Sequence, residues 1–264
     1  MSNDYWADRT AQAMTNISNK SIKQIEKQLA KYYLTTSKRV IEDFESTYNK
    51  ILVTVGEDKQ ITPADLYKLE KYWEMQGQLK EELLKLGNKE IKALSAAFES
   101  NFFEVYWGLK LPTDTATIGA FNTIDKEAAM QLINSIWCAD GKSWSARVWE
   151  NTEKLASTLN DALIEVVAAG KKTTDLKNLL QDRFDVSYSA ADALVRTEIA
   201  HIQTEAAKQR YKDSGIEQVE IWADEDERRC EVCGKLHQTK YAVGANVPIP
   251  AHPRCRCCII PVID

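Results

Sequence analysis

The motifs 230-CEVC-233 and 252-HPRCRC-257 concentrate, near the end of the chain, the residue types that bind soft metal ions. Zinc takes four thiolate or imidazole ligands in a tetrahedron. Two cysteines separated by two residues present both sulfurs to one ion from a tight turn, so the first motif supplies Cys230 and Cys233 as ligands. We predict a closed zinc site to which both motifs contribute.

The second motif offers more candidate ligands than a four-coordinate ion needs. His252, Cys255 and Cys257 compete for two positions, and cysteines separated by a single residue fit one ion less comfortably than a CxxC pair. We favour His252 with one of the two cysteines, and which one stays open. Cys258 adds a thiol with no obvious position on the ion. The alternatives are a disulfide pair or chance clustering. Metal is favoured because five of the six cysteines fall in the final segment of the chain and nothing marks secretion.

Composition and charge narrow the class of protein. The chain has 264 residues, 44% of them hydrophobic, which is ordinary for a globular protein of one or two domains. A net charge of -5 argues against a protein whose main affinity is for nucleic-acid phosphates. No apolar run approaches membrane-spanning length, and the start of the chain lacks the basic and apolar blocks of a signal peptide. We therefore expect folding in a reducing cytoplasm, where thiols stay available to metal, and no membrane partner.

The first part of the chain has the periodicity of amphipathic helices. Apolar residues recur at steps of three and four from Ile17 to Leu52, which predicts a long helix with one break near Thr35 and an end at Gly56. The sequence 62-TPAD-65 is a helix start signal, and the helix it begins is predicted to run through Trp73. A further helical run covers residues 79–106. We predict a helical N-terminal region over residues 1–112.

The polar, threonine-rich segment 112–117 is the predicted linker to a second domain, which covers residues 113–264. Helices are predicted up to Gly215, with a break at Ser187 or Ser189. After Gly215 the pattern changes to a period of two, which predicts three short strands near Val219, Tyr241 and Ile259. The predicted fold is mostly α, with a helical N-terminal region followed by an α+β domain. That domain has a small β-sheet and a zinc-stapled element within residues 222–264.

Taken together, 196-RTE-198, Trp222, 226-DERRCEVC-233 and 250-PAHPRCRC-257 resemble the phage Mu F-like head morphogenesis domain of tailed-phage minor head proteins. The resemblance covers the chain from about Trp144 onward. It implies a structural component of the virion head, made in the host cytoplasm and placed in the head interior or near the portal. The implied partners are the portal protein and other head proteins, with a part in DNA packaging or ejection in some relatives. It does not imply catalysis, so we expect no enzymatic activity.

Three further residues acquire a role through this resemblance. Arg196 and Glu198 would anchor their helix to the zinc-bearing segment, with the planar fork of an arginine holding a carboxylate such as Asp226 or a turn carbonyl oxygen. No paired base or nucleophile accompanies them, so a catalytic role is not expected. His237 is a weak fifth candidate for the metal. Basic residues around the two motifs, Arg254 and Arg256 among them, could make non-specific contacts to viral DNA or meet an acidic portal surface, but the acidic residues beside them favour a mixed-charge surface.

Two other functions compete with this interpretation. A zinc-stapled nuclease related to the His-Asn-His endonucleases needs a histidine base beside a second metal ion. Only three histidines exist in the chain, and zinc is expected to occupy His252. A zinc-ribbon protein that binds nucleic acid is disfavoured by the acidic charge balance and by the lack of a basic helix.

Overall fold

The computed structural model describes residues 3–55, 61–111, 124–223, 226–227 and 229–263. This part of the chain is mostly helical and contains one small antiparallel sheet, which confirms the predicted fold class at that level. The helices are α1 Asn3–Val55, α2 Pro63–Leu66, α3 Glu70–Gly108, α4 Lys126–Ile133, α5 Trp144–Ala168, α6 Thr173–Asp213 and α7 Glu231–Leu236. The strands are β1 Gln218–Trp222, β2 Lys240–Ala242 and β3 Cys258–Pro261.

Helix α1 has no break at Thr35, so that prediction was wrong. The Thr35 hydroxyl donates to the carbonyl oxygen of Lys31 at 2.8 Å, a bond that a threonine can make inside a continuous helix. Gly56, the predicted end of the helix, lies outside the described residues.

The 62-TPAD-65 signal is confirmed as a helix start. Thr62 caps α2: its hydroxyl accepts the Asp65 N–H at 3.3 Å, and the Asp65 carboxylate accepts the Thr62 N–H at 3.4 Å. The helix stops at Leu66 rather than continuing through Trp73. The indole N–H of Trp73 donates to the Tyr67 carbonyl oxygen at 2.9 Å, and the chain turns here before α3 begins at Glu70.

Helix α6 runs through Ser187 without the predicted break. The Ser187 side chain is buried and lies 3.4 Å from the Tyr33 hydroxyl, while its carbonyl oxygen accepts a hydrogen bond from the Asn151 amide at 3.0 Å. A serine favours a helix start only when its hydroxyl is free to cap. Here that hydroxyl contacts the core instead, so the helix continues. Gly170, with φ +60°, ends α5 as predicted.

The sheet has the order β2-β1-β3, and both pairs are antiparallel. All three predicted strands are present. Strand β1 pairs Val219 with Tyr241 on one side and Glu220 with Ile260 on the other. The buried Tyr211 of α6 donates its hydroxyl to the carbonyl oxygen of Ile259 at 3.1 Å, which connects the sheet to this helix.

The chain divides into two compact units. One comprises Met1–Ile25, Leu94–Trp144 and Ala193–Asp264, and the other comprises Glu26–Ala93 and Ser145–Asp192. The first unit contains the sheet, α7 and the CEVC and HPRCRC motifs. The linker predicted at residues 112–117 lies outside the described residues, so the domain boundary stays a prediction. No helix in the described part of the chain is long and apolar enough to cross a membrane.

Candidate metal centre

The CEVC motif forms the start of helix α7. Cys230 is the N-cap residue, with extended backbone angles of φ -75° and ψ 163°. Its sulfur accepts the backbone N–H of Cys233 at 3.4 Å, as a serine or aspartate oxygen does at other helix starts. The helix start therefore fixes the side chain of Cys230 and brings it close to Cys233.

The HPRCRC motif forms a turn that presents its own ligands. The Cys255 N–H donates to the His252 carbonyl oxygen at 3.1 Å, which closes the turn, and Arg254 within it has φ +60°. The Nδ1 atom of His252 lies 2.8 Å from the Pro253 carbonyl oxygen. Since a carbonyl oxygen accepts, Nδ1 carries the proton and Nε2 has the free lone pair that a metal ion needs.

The two motifs converge in one place. His252 Nε2 lies 3.3 Å from Cys230 Sγ and 3.1 Å from Cys233 Sγ, and Cys233 Sγ lies 3.8 Å from Cys255 Sγ. The donor atoms form two overlapping groups, Cys230 with Cys233 and His252, and Cys233 with Cys255 and Cys257. Within each group all atoms lie within 4.8 Å of one another. The five candidate ligands of the two motifs are therefore brought together, and the remaining candidate, His237, is not among them.

Three of these separations are close to those around one tetrahedral ion, although no four donor atoms of the cluster all lie within 4.8 Å of one another. With Zn–S bonds of about 2.3 Å, two sulfurs of a tetrahedron lie about 3.8 Å apart, and a sulfur and an imidazole nitrogen lie about 3.5 Å apart. The sulfur pair at 3.8 Å matches the first value, and the sulfur–nitrogen pairs at 3.1 and 3.3 Å are slightly shorter than the second. The donor set of thiols and one imidazole suits a soft or borderline ion such as zinc.

The pKa values of the four thiols are shifted in two directions. The hydrogen bond from the Cys233 N–H lowers the pKa of the Cys230 thiol, and the hydrogen bond from the Cys257 thiol lowers the pKa of Cys255 to about 5. Burial raises the pKa of Cys233 to about 12, and donation to Cys255 raises the pKa of Cys257. Thiolate is the ligand form of cysteine, and a coordinated metal deprotonates a thiol outright.

Comparison with known families gives a match over the same part of the chain. Residues 157–260 match the family model of phage Mu protein F like protein. The match begins inside α5 and includes the RTE triplet and both metal-binding motifs, so it confirms the resemblance drawn from those motifs. A search of the curated proteins and of the solved structures found no match.

In the Mu F-like segment, Thr197, the middle residue of the RTE triplet, contacts the turn of the HPRCRC motif. The Thr197 hydroxyl oxygen accepts the backbone N–H of Arg254 at 3.0 Å. The half-buried Arg196 precedes it, and the buried Glu198 accepts the indole N–H of Trp137 at 3.0 Å. Sequence reasoning assigned the anchor to Arg196 and Glu198 and gave Thr197 no role. The only sequence signal for Thr197 was its place between two residues of the motif.

The carboxylate of Asp226, also in the Mu F-like segment, is bound by both branches of the Arg256 guanidinium group.

His237 lies outside both donor groups, and its Nδ1 accepts the Ala223 N–H at 3.2 Å. Cys258, for which the sequence analysis found no obvious position on the ion, is buried in strand β3. His201 stacks on Trp137 with ring centres 4.5 Å apart, and burial lowers its pKa to about 4, so it stays neutral.

Proposed function

We propose that this protein is a structural minor head protein of a tailed bacteriophage, which acts in head morphogenesis together with the portal protein. The observation that carries the proposal is the Mu F-like match over residues 157–260, a segment in which five metal-binding side chains converge. The resemblance further suggests a place in the head interior or near the portal, a role in DNA packaging or ejection, and non-specific contacts with viral DNA. The protein would be made in the host cytoplasm.

Zinc is the metal that we propose for the centre. Cys230, Cys233 and His252 would bind it together with Cys255 or Cys257. The ion would join the start of α7 to the turn before β3, although His252 follows Cys233 by 19 residues in sequence. A structural zinc ion in a small module contributes roughly 10 kcal/mol or more to folding. The metal would therefore hold the end of the Mu F-like segment in its folded state.

We propose a non-enzymatic role for this centre. A closed site, in which four protein side chains fill the tetrahedron, has no open position for water or substrate. The histidines also support this role. His252 belongs to the cluster, His237 accepts a backbone N–H, and His201 is buried against Trp137. A nuclease assay of the purified protein with added magnesium tests this part of the proposal, and cleavage above background would contradict it.

Metal content is the first measurement. We expect elemental mass spectrometry to find one zinc ion per chain and thiol counting under denaturing conditions to find six free cysteines. The Cys230→Ser variant should lose the zinc, and the region after Gly215 should become sensitive to protease while most helical circular dichroism remains. Cys138→Ser, which changes a half-buried cysteine outside both motifs, is the matched control and should keep the metal. Disulfides without zinc in the wild-type protein would contradict the proposal.

The head assignment needs a separate experiment. Purified phage particles and procapsids should contain the protein, and it should co-purify with portal protein from infected cells. A chain truncated to residues 124–264 tests whether the N-terminal helices carry the portal contact, because we propose that the contact surface lies there. Unchanged co-purification on truncation contradicts that surface. Loss supports it when circular dichroism shows that the truncated chain keeps its helices, because segments of the N-terminal helices belong to both compact units. Absence of the protein from both particles and procapsids would contradict the head assignment itself.

A further inference from the structure

One residue of the metal-binding turn has a backbone conformation that needs support. Arg254 has φ +60°, in the left-handed region that residues other than glycine, asparagine and aspartate rarely adopt. It lies between His252 and Cys255, two candidate ligands, so its conformation sets the direction in which both side chains leave the turn. A hydrogen bond within the turn, from the Cys255 N–H to the His252 carbonyl oxygen, closes it from inside.

The external support for this turn is a hydroxyl group on helix α6. Thr197 Oγ1 accepts the Arg254 N–H at 3.0 Å and donates its own hydrogen to the Ala193 carbonyl oxygen at 2.6 Å. The donation to Ala193 fixes the hydroxyl hydrogen along the helix, so a lone pair of the oxygen faces the turn. The Thr197 oxygen therefore accepts the Arg254 N–H in a fixed orientation, because the hydroxyl group is not free to rotate.

We propose that Thr197 is a positioning residue of the metal centre: its hydroxyl holds the turn at residues 252–255 so that His252 and Cys255 face the two sulfurs of the CEVC motif. The inference rests on the proposed zinc site and extends it to a residue on α6 that binds no metal. The CEVC half-site is ordered by its own helix start, through the Cys233 N–H bond to Cys230. The other half-site, His252 with Cys255, lies in a turn, and the hydrogen bond from Arg254 to the Thr197 hydroxyl orders that turn in the same way.

A preordered turn binds metal more tightly because less conformational freedom is lost when the ion arrives. Removing the Thr197 hydroxyl should leave the four ligands in place and lower their affinity for zinc. Changes in groups that orient metal ligands typically cost roughly 10- to 100-fold in affinity. Thr197 acts through the backbone of a neighbouring residue, so we expect a loss of roughly tenfold, at the lower end of that range.

The test compares three variants of the full chain. Thr197→Val removes the hydroxyl and keeps the branched shape, and Thr197→Ser keeps the hydroxyl and removes the methyl group. Thr204→Val is the matched control, because Thr204 is on the same helix and its hydroxyl donates to the Ala200 carbonyl oxygen at 2.9 Å in the same way. Zinc affinity is measured by competition with a chromophoric chelator, and folding of the zinc-loaded proteins is checked by circular dichroism.

We expect Thr197→Val to bind zinc roughly tenfold more weakly than wild type, and Thr197→Ser and Thr204→Val to remain within about threefold of it. Equal affinity of Thr197→Val and wild type overturns the inference and leaves the zinc site in place. An equal loss in Thr204→Val also overturns it, since the effect would then come from the helix. If the wild-type protein binds no zinc, the zinc proposal fails first and this inference fails with it.

Discussion

Arg256 binds Asp226 through both branches of its guanidinium group, with Nη1 2.8 Å from Oδ2 and Nη2 2.6 Å from Oδ1. Arg256 lies between Cys255 and Cys257, and Asp226 lies in the segment before Cys230. This ion pair therefore joins the flanks of the two half-sites without using a metal ligand. The sequence analysis expects Arg196 to hold a carboxylate such as Asp226 or a turn carbonyl, and the structure shows a further arginine, Arg256 of the second motif, forming a fork on Asp226.

We predict that this ion pair contributes little to stability. Both side chains are more than a third exposed, at 39% and 35%, and exposed pairs are typically worth about 0–1 kcal/mol because water screens them. Arg256→Lys keeps the charge and loses the planar fork, and should lower the free energy of unfolding of the zinc-bound protein by less than about 1 kcal/mol. Urea denaturation measures this change, with Asp226→Ala and the double variant completing the cycle. A loss above about 2 kcal/mol would contradict the prediction.

The choice between Cys255 and Cys257 as the fourth ligand is a second prediction. Cys255 Sγ lies 3.8 Å from Cys233 Sγ, the separation that two sulfurs have on one zinc ion, and it accepts a hydrogen bond from the Cys257 thiol. We predict that Cys255 binds the metal and that Cys257 donates to the bound sulfur. Cys255→Ser should weaken zinc binding by more than about 100-fold, and Cys257→Ser, which retains a hydroxyl donor, by roughly tenfold or less.

Chelator competition on the two serine variants decides between the cysteines. Cys258→Ser serves as a control, because Cys258 is buried in strand β3 and was assigned no position on the ion. The reverse order of affinities would identify Cys257 as the ligand.

The sequence predicted those parts of the site that depend on local spacing. The CxxC pair needs only a helix start to bring its sulfurs together, and the strand pattern near Ile259 places the second motif at the edge of the sheet. Two of the differences involve hydroxyl groups whose partners are remote in sequence. The sequence predicts a cap at Ser187, whose contact in the structure is Tyr33, 154 residues away. It gives no role to Thr197, whose contact is Arg254, 57 residues away. No local pattern encodes such contacts.

Gly87 in the middle of helix α3 provides a third prediction. A Cβ atom at this position would lie 2.6 Å from a ring atom of Trp149, closer than side-chain contacts allow. Alanine favours a helix over glycine by about 1 kcal/mol, but forcing atoms into a packed site typically costs about 1–3 kcal/mol. Gly87→Ala should therefore lower stability by about 1 kcal/mol, measured by thermal or urea denaturation.

Gly77 is the matched control for this substitution. It lies in the same helix, and a Cβ atom at that position would have no described atom within 4 Å outside its own stretch of helix. Gly77→Ala should thus raise stability by about 0.5–1 kcal/mol through helix propensity alone. Destabilisation by both alanines to the same extent would show that the ring of Trp149 is not the cause.

The last prediction concerns Glu90, a carboxyl group buried in the core of its unit with 1% of its surface exposed. One oxygen, Oε2, accepts the Tyr33 hydroxyl at 3.3 Å, and the other has no hydrogen-bond partner among the described residues. Asn151 on α5 and Ser187 on α6 complete this polar cluster by contacting Tyr33. Burial raises the pKa of Glu90 from 4.5 to about 7, because the charged form loses its hydration there.

The direction of the pH effect follows from this raised pKa. Between pH 4.5 and about 7 the folded protein keeps a proton on Glu90 that the unfolded chain releases. The stabilising contribution is therefore fully present below pH 4.5 and is lost as the pH rises through about 7. Glu90→Gln, which stays neutral at every pH, should remove this loss. Each tenfold difference in proton affinity between the folded and unfolded states corresponds to about 1.4 kcal/mol of stability.

Urea denaturation at pH 5 and pH 8 measures the effect as the difference between wild type and Glu90→Gln. Glu81→Gln is the control, since Glu81 lies on the same helix with 68% of its side chain exposed and should leave the pH dependence unchanged. A wild-type protein and a Glu90→Gln variant with the same pH dependence would mean that Glu90 titrates normally. The buried carboxylate would then have to be stabilised by a contact other than the Tyr33 hydroxyl.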